Sequence, residues 1–142
     1  MIIFFINFLV TILLGAMIFF MAVVSPSVFA TLSSNASSKF LRTIFPRMFL
    51  FGFVISLLAF ILTILSNDLF NSIVLVIIGL SFLINRNYLT PLINNFRDQE
   101  LEGNSKAAKN FKMMHLLSVL LFMINFFLLI LVIVLNFINH NL

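Results

Sequence analysis

The stretch FKMMHLLSVLLFMINFFLLILVIVLNF, residues 111–137, decides the fold class because it stays apolar over more than a bilayer's thickness. A helix needs about 20 apolar residues to cross roughly 30 Å of hydrocarbon. Working outward from this stretch, three earlier apolar runs cover residues 2–24, 48–66 and 69–89. The sequence therefore predicts an all-α, integral membrane four-helix bundle, with residues 1–142 forming a single four-span domain.

The composition supports the same class. Of the 142 residues, 63% are hydrophobic and 8% are charged, whereas about a quarter of a soluble domain is charged. We therefore expect the bilayer to be the solvent of this chain. The absence of Cys excludes disulfides, thiolate metal sites and Cys nucleophiles together. The first run lacks a basic region before it and exceeds the apolar core of a secretion signal, so we expect a retained span.

The basic residues predict the orientation. All eight lie in or beside two connections: Lys39, Arg42, Arg47, Arg86, Arg97, Lys106, Lys109 and Lys112. Four spans place those two connections on one side of the membrane, and the positive-inside rule makes that side cytoplasmic. We therefore expect a multi-pass protein of the plasma (inner) membrane with both termini on the non-cytoplasmic side. The cations would also contact anionic lipid headgroups.

The two basic connections carry further helical signals. Residues 35–45 can place apolar side chains on one face and cations on the other, which predicts a short interfacial helix that ends at Pro46. The third helix continues past its apolar part towards Gly103, a good C-cap residue, with a kink expected at Pro91. Ser105 is the expected N-cap of the fourth helix. The last hairpin should therefore extend into the cytoplasm.

Small and polar residues recur at helical spacing and predict the faces that pack, since helices in lipid associate through close backbone approach and hydrogen bonds. The second helix has Gly52, Ser56, Ala59, Thr63 and Ser66 on one face, and the first has Asn7, Thr11, Gly15, Ala22 and Ser25. The fourth helix has Phe111, His115, Ser118, Phe122, Asn125, Leu129, Val132 and Asn136. The third offers Ser72, Gly79 and Arg86.

His115 lies on the polar face of the fourth helix, so we expect it to point into the bundle. One interpretation is a packing histidine that is hydrogen-bonded within the third–fourth hairpin. The other is a ligand-binding or proton-handling group, because ionisable groups inside membranes are candidates for function. The residues expected around it form a polar pocket walled by Phe at the cytoplasmic mouth: His115, Ser118, Asn94, Arg97, Pro91, Arg86, Pro26 and Arg42. The alternative for the same residues is a set of helix caps and snorkelling arginines.

The motifs of common chemistry do not appear in the sequence. We identify no phosphate-binding glycine loop and no nucleophile triad, so no catalytic residues are predicted and we lean against an enzyme. We predict no metal site, because His115 has no partner histidine or thiolate with which to hold zinc. Nucleic acid is also not expected, since the cations flank spans rather than stacking platforms.

Three segments carry a family resemblance: GAMIFFMAVVSPSVF (15–29), SSKFLRTIFPRMFLFG (37–52) and TPLINNFRDQELEGNSKAAKNFKMMHLLSVLL (90–121). Together they resemble the domain-of-unknown-function family 4149, also called transmembrane protein 205-like. The resemblance implies a four-span membrane protein and supplies no agreed activity. The family in turn looks distantly similar to copper-resistance D-like membrane domains and to small haem-containing protoporphyrinogen oxidases.

Three functional hypotheses follow. The first is a non-enzymatic binding or accessory component of a membrane assembly, with a membrane-protein partner or a second copy of itself. The second, implied by the distant resemblance, is a haem- or tetrapyrrole-linked redox protein, although no cofactor is predicted from the residues. The third is a small transporter that acts as an oligomer, since four spans alone are few for transport.

Overall fold

The computed structural model describes the backbone of residues 1–141 and the side chains of residues 1–139. Residues 1–141 form α1 (Ile2–Phe19), a first π-turn (Phe20–Val24), α2 (Ser25–Thr31), α3 (Ser34–Leu65), α4 (Leu69–Ile84), a second π-turn (Asn85–Leu89), α5 (Thr90–Leu101) and α6 (Ser105–Asn141). Each π-turn joins the α-helices on either side of it into one longer helix. The described chain therefore consists of four long helices, which we number first to fourth.

All four helices are long and apolar enough to cross a membrane. Their outer surface is covered by large apolar side chains, such as Phe4, Leu80 and Phe127, as expected where lipid is the solvent. The predicted all-α membrane four-helix bundle is confirmed, and the chain is a multi-pass membrane protein. We call the end that carries residues 32–33 and 102–104 the basic end, and the end that carries the 66–68 turn the opposite end.

The second and third helices pack through the small-residue face predicted for the second helix. Gly52, Ser56, Ala59 and Thr63 are buried. A Cβ atom at Gly52 would lie 2.7 Å from the ring of Phe82, so only glycine allows this ring to sit against the backbone. Further along, Ser72 Oγ donates to Thr63 Oγ1 at 2.9 Å. This part of the prediction is confirmed.

The face predicted for the first helix is wrong in the middle of that helix. Thr11 and Gly15 are exposed, whereas Val10, Leu13 and Met17 are almost completely buried. These larger side chains belong to the central apolar core of the bundle. Dispersion contacts between large side chains hold this helix, so close backbone approach is not needed there.

The separate interfacial helix predicted for residues 35–45 is also wrong. α3 is one helix from Ser34 to Leu65 with Pro46 inside it. Pro46 removes one backbone donor, but Phe45 and Phe49 stack across it with ring centroids 5.8 Å apart. Phe45 also lies 5.2 Å from Phe20 of the first helix. Aromatic packing on both sides of the proline therefore keeps the helix continuous.

The turn at the basic end between the third and fourth helices differs from the prediction in its cap. Gly103 has a φ of +93° directly after α5 and its C-cap residue Glu102, as expected for a glycine that ends a helix. The N-cap of α6 is Asn104 and not Ser105, because Asn104 Oδ1 accepts from the backbone N–H groups of Lys106 and Ala107 at 3.1 and 3.3 Å. An Asn side chain one residue earlier performs the function assigned to Ser105.

A hydrogen-bond network joins three helices near the opposite end. Asn71 Nδ2 donates to Asn136 Oδ1, and Asn136 Nδ2 donates to Asn7 Oδ1, both at 2.7 Å. Asp68 caps α4 and accepts from the backbone N–H and the side chain of Asn71 at 3.1 and 2.6 Å. The network connects the first, third and fourth helices by polar contacts, which supplement apolar packing inside lipid.

Candidate functional site

A cavity of about 760 Å³ opens at the basic end and is lined by residues of all four helices. Its apolar wall includes Phe20, Met21, Phe29, Phe45, Met48, Phe49, Phe111, Phe122 and Met123. Its polar lining consists of Ser25, Ser34, Ser37, Ser38, Arg42, Thr90, Asn94, Arg97, His115 and Ser118. Apolar walls with a few polar groups are typical of small-molecule sites.

Both π-turns lie at this cavity, and each is followed by a proline. The backbone N–H of Ser25 donates to Phe20 O before Pro26, and that of Thr90 donates to Asn85 O before Pro91. A proline lacks the N–H of a regular helical turn and crowds the preceding carbonyl, and the wider turn accommodates it. Since π-turns re-aim side chains and are frequent at functional sites, these two turns direct Ser25 and Thr90 to the cavity wall.

Five of the eight residues predicted for a polar pocket line this cavity: His115, Ser118, Asn94, Arg97 and Arg42. Pro26 and Pro91 do not line it; both rings are exposed on the outside of the bundle, one residue beyond Ser25 and Thr90. Arg86 is also outside the lining, and its Nη1 donates to Asn87 at 3.3 Å. The predicted mouth is therefore present, but the two prolines act on it through backbone geometry.

An ion pair that the sequence did not predict joins two helices at the mouth. Arg42 donates to both carboxylate oxygens of Asp98, from Nη2 at 2.5 Å and from Nη1 at 3.1 Å. The pair joins α3 to α5 across 56 positions of sequence. A two-pronged arginine–carboxylate contact fixes geometry as well as charge. The available signal was the predicted continuation of the third helix towards Gly103, which carries Asp98.

The second cation of the lining is compensated as well. Arg97 Nη1 donates to Glu100 Oε2 at 2.6 Å, one turn along α5. The guanidinium carbon of Arg97 also lies 5.3 Å from the centroid of the Phe111 ring, a cation–π distance. Both arginines that line the cavity therefore have a carboxylate partner.

His115 lines the cavity but does not make the predicted hydrogen bonds. Its ring stacks on Phe111, with centroids 5.9 Å apart and an interplanar angle of 9°, and the side chain is exposed. In the described part of the chain, neither ring nitrogen has a hydrogen-bond partner. The interpretation of a packing histidine hydrogen-bonded within the hairpin is therefore wrong. The stack on Phe111 holds the imidazole ring at the edge of the cavity, where it is exposed and not enclosed by the bundle.

The hydrogen bond expected near His115 is made one turn deeper, by Ser118. Ser118 Oγ donates to Asn85 Oδ1 at 2.5 Å, and both residues are buried. Asn85 is completely inaccessible, and its backbone carbonyl also accepts from Thr90 Oγ1 at 2.7 Å. The serine predicted as a pocket residue is thus the link between the cavity wall and the interior of the bundle. Asn85 was not predicted as a site residue.

The comparisons with known proteins identify a family and no function. The family described as "Domain of unknown function (DUF4149)" matches residues 8–102, which is more than half of the chain. No curated protein matches the chain. No solved structure matches it either.

Proposed function

We propose, starting from the fact that this chain belongs to the DUF4149 family, that it is a non-enzymatic membrane protein that binds an amphiphile without net charge. The cavity at the basic end takes the apolar body of the molecule, and the hydroxyl and amide groups of its lining take the head. In this role the protein serves as the binding component of a membrane assembly.

The observation that carries this proposal is the cavity itself. Its volume of about 760 Å³ falls within the roughly 300–1,000 Å³ of small-molecule sites. Its aromatic wall continues inward through stacked or tilted rings, from Phe20 to Phe45, Phe49 and Phe82. Aromatic and Met side chains bury apolar ligands well and adapt to their shape.

The charges of the lining favour a head group without net charge. Arg42 and Arg97 are each paired with a carboxylate. The remaining polar groups of the lining are hydroxyls, the Asn94 amide and the His115 imidazole. The hydroxyls and the amide donate and accept hydrogen bonds without adding a formal charge. An anionic head group would have to compete with Asp98 and Glu100 for the two arginines.

The sidedness is part of the same proposal. The basic end faces the cytoplasm of a plasma (inner) membrane, with residue 1 on the other side, because the cations flank the two connections at this end. Exposed lysines at the basic end, such as Lys109 and Lys112, contact anionic headgroups. The cavity would then be filled from the cytoplasmic leaflet or from the cytoplasm.

Native mass spectrometry of the protein, released from mild detergent, tests the binding. We expect the wild type to retain a copurified amphiphile that has no net charge. Val119 lines the cavity, so Val119→Trp should fill the site and remove this adduct. Leu120→Trp is the matched control, because Leu120 is comparably exposed on the same helix and faces lipid. A wild type without an adduct, or equal retention by both variants, would contradict the proposal.

A separate observation on the first helix supports the proposed membrane assembly. Thr11 and Gly15 are exposed on the first helix, and a Cβ at Gly15 would meet nothing within 4 Å. Small residues on a lipid-facing surface allow another helix to approach closely. We expect mild-detergent purification to recover a stoichiometric membrane-protein partner or a homo-oligomer, and Gly15→Leu to weaken it. A monomer without a partner would argue against the assembly and leave the cavity proposal intact.

A tetrapyrrole is the second candidate occupant, and His115 is the observation that favours it. The imidazole lines the cavity and has no hydrogen-bond partner among residues 1–139, and Met21, Met48 and Met123 line the same cavity. Imidazole and thioether are ligand types that hold haem iron. Protein from haem-replete cells should then show a Soret band that is lost in His115→Ala. A colourless preparation would end this alternative.

A further inference from the structure

We infer that water from the cavity at the basic end enters the interior of the bundle past Ser118 and stops at an apolar layer near its middle. This hydrated half-path goes beyond the proposed ligand site. It is carried by three buried polar side chains, Asn85, Ser81 and Asn125.

These three side chains have polar atoms without a partner in the described structure. Asn85 Nδ2, Ser81 Oγ and both side-chain atoms of Asn125 are buried and make no hydrogen bond. Asn85 and Asn125 are 0% exposed and Ser81 is 7% exposed. Exchanging the positions of the Asn85 amide oxygen and nitrogen would still leave one of them unpaired, because Ser118 can pair with only one of the two atoms.

Helix geometry places the unpaired groups close to one another. The third and fourth helices are antiparallel, and the Ser118–Asn85 hydrogen bond fixes their register. Ser81 lies four residues before Asn85, about 6 Å deeper. Asn125 lies seven residues after Ser118, about 10 Å deeper on the facing helix. The difference in depth is about 4 Å. One bridging water can span it, because the water makes a hydrogen bond of about 2.8 Å on each side.

These atoms need a hydrogen-bond partner on energetic grounds. A buried donor or acceptor without a hydrogen bond costs about 1–3 kcal/mol, and hydrocarbon offers no partner from outside. Buried water normally fills such sites when two to four polar groups converge. The four unpaired atoms, two on Asn125 and one each on Ser81 and Asn85, lie at different depths. A short chain of waters, and not a single molecule, is therefore needed to satisfy them.

The two ends of the path are also defined by the structure. Ser118 lines the cavity and touches Asn85 directly, so entry is from the basic end. Beyond Asn125, Leu129 and Val132 are completely inaccessible, as is Ile78 on the third helix. This apolar layer separates the path from the Asn71–Asn136 network near the opposite end. The path therefore ends near the middle of the membrane.

Two serine-to-cysteine variants test the inference in this naturally Cys-free chain. Ser81→Cys and Ser56→Cys are equally conservative changes at buried serines, but Ser56 Oγ already donates to Phe53 O at 2.9 Å. Each variant is reconstituted in lipid bilayers and exposed to Ag⁺, a probe of about the size of water. The thiols that remain free are then alkylated under denaturing conditions and counted.

We expect Ag⁺ to block alkylation of the Ser81→Cys thiol and to leave the Ser56→Cys thiol fully alkylated. Equal protection of both thiols, or protection of neither, would overturn the half-path. If a variant fails to fold, water-edited solid-state NMR on the wild type decides instead. Water polarisation should then reach the Asn125 side-chain amide as quickly as that of Asn94, and a transfer as slow as that to the Leu129 backbone would overturn the inference.

Discussion

Arg42 and Asp98 determine the charge that the cavity presents to a ligand. With Asp98 bound to it, Arg42 adds no free cation to the lining. Asp98→Asn keeps the shape of the side chain and leaves Arg42 without its carboxylate. We expect this variant to shift retention from a monoacylglycerol towards a fatty acid of the same chain length, since the freed guanidinium attracts a carboxylate. Native mass spectrometry with equimolar amounts of the two amphiphiles measures the shift.

Glu102→Gln is the control for this prediction. Glu102 lies four residues after Asp98, and Glu102→Gln removes the same negative charge as Asp98→Asn. In the described chain, however, Glu102 has no ion-pair partner. Retention should therefore stay as in the wild type. A shift of equal size in both variants would mean that the net charge of the basic end, and not the Arg42–Asp98 pair, controls selectivity.

Asn136 is the residue on which the network near the opposite end depends, because it is hydrogen-bonded to both Asn71 and Asn7. Asn136→Leu removes both bonds, so Asn71 keeps only its contacts with Asp68 and the half-buried Asn7 Oδ1 loses its donor. We expect a loss of about 1–2 kcal/mol in the free energy of unfolding. Asn139→Leu, at an exposed position of the same helix, should change it by less than about 0.5 kcal/mol. Unfolding in SDS titrations compares the two variants, and equal effects would rule out the assigned role.

The packing of the second helix against the third depends on Gly52. Gly52→Ala would place a Cβ 2.7 Å from the Phe82 ring, which is itself buried and cannot move aside. We expect this overpacking to cost about 1–3 kcal/mol of stability. Gly15→Ala introduces the same Cβ where nothing in the chain lies within 4 Å. In SDS, where chains are separated, it should be neutral or stabilise by up to about 1 kcal/mol. If both variants unfold alike in an SDS titration, the assigned contact is wrong.

The helices show which patterns in the sequence predict packing in lipid and which do not. The face of Gly52, Ser56 and Thr63 was predictable because small residues at helical spacing permit close approach. The first helix carries a similar pattern, yet it buries Val10 and Leu13 instead. Spacing defines a face, but the partner across from it decides whether small or large side chains fill the gap. A single sequence does not supply that partner.

The prolines show a second limit of the same kind. A helix was expected to end at Pro46, yet Pro46 lies inside α3. Pro26 and Pro91 also lie in continuous helices, each just after a π-turn. For Pro26 and Pro91, a π-turn absorbs the missing donor. For Pro46, the stacked rings of Phe45 and Phe49 hold the helix together. Proline position was therefore informative about local geometry but not about where helices end.

The sequence predicted which residues of the bundle meet at the candidate site better than it predicted the contacts between them. Helix direction and the 102–104 turn bring Asn94, Arg97, His115 and Ser118 to one mouth, as predicted. The Arg42–Asp98 pair was not predictable, because it requires α3 to continue as a helix beyond the membrane core. The stack of His115 on Phe111 was missed for a related reason. Helical periodicity predicts the face on which a residue lies, but not how deeply its side chain is buried.

The proposed orientation of the bundle rests on its charges and can be measured directly. A single cysteine at Asn104, in the turn at the basic end, should react with an impermeant maleimide only after inverted vesicles are prepared or cells are opened. The physical reason is that basic connections remain on the cytoplasmic side. A cysteine at Asn67, in the turn at the opposite end, is the control and should react in intact cells. Labelling of residue 104 from outside would reverse the proposed sidedness.

The central claim is that the cavity binds an amphiphile specifically, and photo-crosslinking in bilayers tests it most directly. A diazirine-bearing monoacylglycerol is activated on the wild type, and peptide mapping locates the insertions. We predict insertion at the cavity residues Met21, Met48 and Met123, with suppression by excess unlabelled monoacylglycerol, and unsuppressed insertion at the lipid-facing Leu116 and Leu120. Insertion that follows lipid exposure alone, with no suppression at the cavity residues, would contradict the account.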